Sequence, residues 1–117
     1  MHAGDEVPLI GGDRLMADAL LTMTSKSFGC VGIVDNEGRL KGIVTDGDLR
    51  RHMSGDLLSL KTEEVMTANP LSVRPDTLAS EALGFMNARA ITTLFVVEDE
   101  RPVGIIHIHD CLRAGVD

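Results

Sequence analysis

The sequence contains no tryptophan, no tyrosine and only three phenylalanines. Binders of single-stranded nucleic acid stack bases on aromatic rings, and this chain has almost none to offer. Positive charge is scarce as well: eleven Lys and Arg against eighteen Asp and Glu leave a formal net charge of −7. A field of that sign repels phosphate backbones and anionic lipid alike, so neither nucleic acid nor a membrane is expected as a partner. The two cysteines, Cys30 and Cys111, stand far apart without CxxC spacing, which removes zinc-knuckle and thioredoxin-like motifs. Both are expected to be small buried hydrophobes in a reducing compartment. No apolar run approaches the roughly 18 residues of a membrane span. The opening segment Met1-His2-Ala3-Gly4-Asp5-Glu6 has neither the basic nor the apolar region of a secretion signal, so a cytoplasmic protein is expected. Phosphate-loop and dinucleotide fingerprints, a nucleophile elbow and an HExxH zinc helix are all missing. His107, Asp110 and Cys111 supply the letters of a nucleophilic site without triad geometry, and no catalytic residue is expected.

What the sequence does have is a repeat. Its 117 residues, 44% hydrophobic and 25% charged, have the length and balance of one soluble globular domain. Met16, Ala19, Leu20 and Met23 recur as Ala79, Ala82, Leu83 and Met86, 63 residues later. Both sets carry the i, i+3, i+4, i+7 spacing of a helix's buried stripe. At the same offset residues 28–34 lie over 91–97, each a short apolar run ending in acids, which predicts a buried strand. Residues 35–39 and the one-residue-shorter 98–101 predict hairpin turns. Past that deletion the offset is 62, and residues 42–51 lie over 104–113, a strand running into a short helix in both copies. Prolines make the lead-ins, residues 7–10 and 69–73, extended.

The expected fold is therefore α+β, with tandem repeats at residues 1–60 and 61–117, each strand-helix-strand-strand-helix. A unit of about 60 residues buries too little apolar surface to stand comfortably alone. Two copies are expected to pack face to face about a pseudo-twofold axis, with two related clefts between them. Residues 54–66 read as a connecting turn and short helix.

Thr45 falls where a strand gives way to a helix, a place where free N–H groups and the helix dipole favour an anion. Its hydroxyl is able to donate to a phosphate, and Asp48, one turn on, to accept two hydrogen bonds from a ribose diol. The same Thr-x-x-Asp spacing is equally a helix capping box, in which both side chains satisfy the helix's own donors. In the second repeat His107 replaces the hydroxyl residue while Asp110 remains. His107 and His109, at i, i+2, share one face of a strand and with Asp110 make a metal site conceivable. A strand-to-helix break between them favours structural or cleft-lining histidines instead, and no metal is expected. Lys26, Lys41, Arg50 and Arg51 are able to counter the charge of an anionic ligand, but basic residues on such helices usually belong to solvated surface, and none of the four is singled out as a site residue.

Gly42-Ile43-Val44-Thr45-Asp46-Gly47-Asp48 matches the Gly-apolar-x-Thr/Ser-x-x-Asp signature of CBS domains, and the whole chain resembles a CBS domain pair. The opening Met1–Pro8 stretch, Thr45–Arg51 and the ending His107–Gly115 are similar to the C-terminal regulatory CBS pair of arabinose-5-phosphate isomerases. In that family a separate sugar-isomerase domain carries the catalysis. The resemblance implies a non-catalytic regulatory module, requiring no cofactor, whose cleft takes an anionic nucleotide or nucleotide sugar. It also implies the site: Thr45 and Asp48 faced by Met66, Thr67, Leu71, Ile91 and Thr92, with Met66, Leu71 and Ile91 sandwiching a base, and a second cleft at His107, His109 and Asp110. The implied ligand is CMP-Kdo, as the feedback product of Kdo and lipopolysaccharide synthesis, with AMP or ATP as alternatives. A homodimer through CBS helices is implied, with a tetramer in the full-length isomerase. The competing expectation is a ligand-free oligomerisation module.

Overall fold

The computed structural model describes residues 2–26, 29–53 and 55–113. Phe28 and Ser54 lie outside the described residues, as does the side chain of Cys111. The chain opens on β1 (His2–Ala3) and a 3-10 turn, Gly4–Glu6, followed by β2 (Leu9–Gly11), α1 (Met16–Lys26), β3 (Cys30–Val34), β4 (Leu40–Thr45) and α2 (Asp46–Arg51). A second 3-10 turn, Leu57–Ser59, and the one-turn α3 (Thr62–Val65) lead to β5 (Thr67–Ala68). The pattern then returns as β6 (Ser72–Val73), α4 (Ala79–Arg89), β7 (Thr93–Glu98), β8 (Arg101–His107) and α5 (Ile108–Arg113). No helix among the described residues is long and apolar enough to cross a membrane.

The repeat read from the sequence is a repeat of backbone pairing. β2 runs parallel to β3 with Leu9 opposite Gly32 and Ile10 opposite Ile33. β6 runs parallel to β7 with Ser72 opposite Phe95 and Val73 opposite Val96, the same pairs 63 residues on. Each hairpin carries its register shift at the equivalent place, after Ile33 and after Val96. The two short strands are exchanged: β5 pairs with β4, Gly42 opposite Ala68, and β1 pairs with β8, Ala3 opposite Gly104. One four-stranded sheet thus has the order β2-β3-β4-β5 and the other β1-β8-β7-β6. The spatial units are residues 8–70, the first unit, and residues 2–7 with 71–113 among those described, the second unit. Sequence repeats and spatial units do not share boundaries.

Each unit has its own core. In the first, Met16, Ala19 and Met23 of α1 are buried against Ile10, Val31, Ile33, Val44 and Val65, with Leu20 half-buried beside them. Thr62 is fully buried in this unit, and its hydroxyl donates to the Gly11 carbonyl at 2.7 Å, as a desolvated hydroxyl must. In the second unit Ala82, Leu83 and Met86 of α4 pack on Leu94. α4 ends at Ala90, whose left-handed backbone (φ 56) lets the Ile91 N–H donate back to the Met86 carbonyl at 3.0 Å. That cap occupies Ile91 and explains why β7 starts at Thr93, two residues later than the apolar run.

The hairpin turns differ in device. Asp99 and Glu100 both have positive φ, 52 and 66, the backbone of a two-residue type I′ turn. In the longer first turn Asp35 is the organiser: Oδ1 accepts the Glu37 and Arg39 N–H groups at 2.9 Å each, and Oδ2 accepts Arg39 Nε at 2.9 Å. The Arg39 backbone N–H above all, then the Glu37 N–H and the Arg39 guanidinium, hold this carboxyl below the usual carboxylate value of 3.8 against some desolvation. A carboxyl whose folded pKa is depressed contributes stability above its unfolded pKa and loses it as pH falls through the folded one. Asp35→Asn is therefore expected to be less stable than the wild type at neutral pH, with a smaller gap at acid pH below the usual carboxylate value, where the folded carboxyl takes up its proton. Urea titrations at the two pH values check this; a gap independent of pH would mean that the charge plays no part.

Candidate functional site

Strand β4 ends in extended backbone at Thr45 (φ −121, ψ 174), which is the N-cap of α2. Asp48, in the first turn, is only 2% exposed although it is charged. A buried carboxylate requires donors, and here it has four. The Thr45 backbone N–H donates to Oδ2 at 2.9 Å and the Thr45 hydroxyl to the same oxygen at 3.2 Å. The Thr67 hydroxyl donates to Oδ1 at 2.8 Å, and the Arg51 guanidinium pairs with Oδ1 as well. Asp48 thereby ties together the end of β4, the first turn of α2 and the start of β5.

The arrangement has the Asp48 half of a capping box, one of the two readings open at Thr-x-x-Asp. The groups that a ligand diol or phosphate would use are engaged with one another. Asp46 and Asp48 in the first turn of α2, with Arg50 and Arg51 in its last, already complement the helix dipole.

Met66 belongs to the same neighbourhood. It is half-buried against the first unit's core, and a Cβ built on Gly42 would lie 2.3 Å from its Sδ and 3.0 Å from the Thr67 carbonyl oxygen. The glycine of the signature is thus what lets Met66 and β5 lie against β4. Thr45, Asp48, Met66 and Thr67 are brought together within the first unit. Leu71, Ile91 and Thr92 belong to the second unit. There Leu71 is 40% exposed, Ile91 is half-buried against the core, and Thr92 accepts the Ile108 N–H on its carbonyl at 2.7 Å.

The second unit repeats the strand-helix junction with imidazole in place of hydroxyl. The His107 N–H donates to Asp110 Oδ2 at 2.8 Å, as Thr45 does to Asp48. The strand-to-helix break falls directly after His107, and the first turn of α5 returns His109 so that the rings stack with centroids 4.7 Å apart and planes 20° apart. His107 Nδ1 accepts the His109 N–H at 3.1 Å. Stacked rings with one nitrogen engaged on the backbone do not converge on a metal ion, and among the described residues no group of three His, Cys, Asp or Glu side chains is placed to hold one.

Arg51 is the neighbour of Asp48 that the sequence reading did not single out, setting it with the solvated surface. The i, i+3 spacing from Asp48 was the available signal. Two open clefts lie in the first unit, one of about 530 Å³ lined by β2 and α1 and one of about 310 Å³ beside the Asp35 turn; Met66 lines the smaller, and neither is lined by Thr45 or Asp48.

Known proteins share both the sequence and the architecture. The CBS domain family matches residues 4–55 and 63–117. Arabinose 5-phosphate isomerase KdsD of Yersinia pestis is 47% identical over 118 aligned positions, which take in 99% of this chain and 36% of that protein. The chain therefore spans about a third of the length of the curated relatives it matches. Among solved structures, an acetoin utilization protein (AcuB) from Vibrio cholerae superposes with a TM-score of 0.84 at 28% identity, covering 98% of this chain and 85% of that one. CBSX2, solved in complex with AMP, superposes with a TM-score of 0.83 at 24% identity, covering 98% and 91%. With the family signature at Gly42 to Asp48 and two matched copies filling the two sequence repeats, the chain belongs to the CBS domain family, as a tandem pair.

Proposed function

We propose that this CBS pair is the regulatory region of an arabinose-5-phosphate isomerase and that it senses an anionic nucleotide or nucleotide sugar. The observation that carries the reading is the 47% identity to KdsD across 99% of the chain. The best candidate ligand is CMP-Kdo, the activated sugar acid toward which arabinose 5-phosphate is committed in Kdo and lipopolysaccharide synthesis. It offers a base, a diol and anionic groups, which suit the apolar Met66, Leu71 and Ile91 and the hydroxyls of Thr45, Thr67 and Thr92, with His107, His109 and Asp110 serving the second cleft. Preferential binding to one arrangement of the repeats alters the attached isomerase. The module works in the cytoplasm, as a homodimer through its helices and within a tetramer of the intact isomerase.

One observation favours a second reading. Asp48 already has all its donors from within the chain, which is what a ligand-free assembly module would need. Thermal unfolding with CMP-Kdo, CMP, AMP, ATP and arabinose 5-phosphate, each titrated alone, separates the two. A ligand at ~100 times its Kd adds about 2.7 kcal/mol, so a rise in Tm with CMP-Kdo is expected. A rise with AMP or ATP alone would make the module an adenine-nucleotide sensor, and no rise with any would leave assembly.

A further inference from the structure

We infer that Arg51 is a latch on the ligand-accepting carboxylate, and that it makes the site selective for anionic ligands over their neutral nucleosides. The inference deepens the ligand reading above and rests on it. An ionised carboxylate has about four acceptor positions. In Asp48 they are filled by the Thr45 N–H, the Thr45 hydroxyl, the Thr67 hydroxyl and the Arg51 guanidinium. No position remains for a ligand hydroxyl unless one donor withdraws.

The four donors are not equally free to leave. The Thr45 N–H is backbone at a strand end, and the two hydroxyls sit on short side chains fixed by β4 and β5. Arg51 ends a long flexible side chain whose side-chain surface is 64% exposed, over a carboxylate that is 2% exposed. Its guanidinium is the group with water to move into. A ligand diol gains Oδ1 by displacing it, and the ion pair broken in doing so is a cost that every ligand meets. A phosphate or sugar acid offsets that cost, because the displaced guanidinium, always charged and forked, pairs with the new anion. A nucleoside meets the same cost with nothing to take up the charge. The latched state therefore lowers apparent affinity by the fraction of molecules that are open, and only anionic ligands recover it.

Calorimetric titration of the full chain with CMP and with cytidine tests this, in the wild type, Arg51→Met and Arg51→Lys. Arg51 makes one ion pair from a mostly exposed position, so both variants are expected to fold, which their Tm values check. In the wild type CMP binds and cytidine binds far more weakly. In Arg51→Met cytidine is expected to bind more tightly than to the wild type and CMP less tightly, so that their affinity ratio collapses by roughly tenfold or more. Arg51→Lys restores part of the ratio, since an ammonium neutralises a phosphate without the bidentate fit. If the wild type binds CMP and Arg51→Met keeps the same ratio, the latch is overturned while the ligand reading stands. Cytidine binding that appears only in Arg51→Met supports the latch directly. If neither CMP nor cytidine binds wild type or variant, the latch is overturned, and the ligand reading is decided by the thermal titrations with CMP-Kdo, AMP and ATP.

Discussion

Asp48→Ala is expected to destabilise the chain by about 2–4 kcal/mol, from a lost helix cap and donors left without an acceptor. For a protein of this size that is a fall in Tm of roughly 10 °C. The size follows from where the carboxylate sits: 2% exposed, it accepts from the Thr45 N–H and hydroxyl and from the Thr67 hydroxyl 19 residues away. Removing it uncaps α2 and unfastens β5 from that helix in one step. Asp48→Asn keeps one acceptor oxygen but turns an amide donor toward a group of donors, so it recovers only part of the loss. Arg51→Met, which removes the exposed partner, is expected to cost under about 1 kcal/mol. The ordering Asp48→Ala, Asp48→Asn, Arg51→Met, read from urea midpoints, separates a buried structural carboxylate from a surface ion pair. Equal and small effects in all three would show that the burial of Asp48 contributes little. The result also governs how a loss of ligand binding in Asp48→Ala is read, because a partly unfolded variant loses binding for a trivial reason.

Most of the fold was legible because it is periodic. The stripe Met16, Ala19, Leu20 and Met23 and its copy Ala79, Ala82, Leu83 and Met86 each became one helix face on a core, and the 63-residue offset reappeared in the strand register itself. The exchange of β1 and β5 was not legible, since strands of two residues are too short to show alternation. Pairing of that kind is decided by which strand edge is left open. Nor did the apolar runs mark where the strands begin: Ile91 continues the hydrophobic pattern, yet the left-handed Ala90 spends it on closing α4. At the site, Thr45 and Asp48 were legible as a pair and the capping alternative with them. Arg51 was not, because an arginine on a short helix carries the same letter whether it is solvated or latched. His107 and His109 were legible as neighbours, and so was the strand-to-helix break between them, but the stacking of their rings once the helix starts at Ile108 was not.

Gly42→Ala is the second change expected to have a large effect, from a single added methyl. A Cβ there would stand 2.3 Å from Met66 Sδ, 2.8 Å from Met66 Cγ and 3.0 Å from the Thr67 carbonyl oxygen. The thioether is flexible and able to swing away, but the carbonyl is backbone of β5, held by the pairs Gly42–Ala68 and Ile43–Thr67. Relief therefore means moving β5 outward, and the Thr67 hydroxyl leaves Asp48 with it. Overpacking of this kind costs about 1–3 kcal/mol. The route through β5 makes a further prediction about coupling. Thr67→Val removes the same hydroxyl bond directly, so Gly42→Ala and Thr67→Val together are expected to cost less than the sum of the two alone. Met66→Ala, which clears the two sulfur-side contacts, is expected to return part of the Gly42→Ala loss but not all of it, because the carbonyl contact stays. Additive costs in the first double variant would mean that the methyl is absorbed at Met66 alone, leaving β5 and the Thr67–Asp48 bond in place. Full rescue by Met66→Ala would say the same. The glycine of the signature would then serve the packing of one side chain, and not the joining of β5 to the carboxylate on which the site depends.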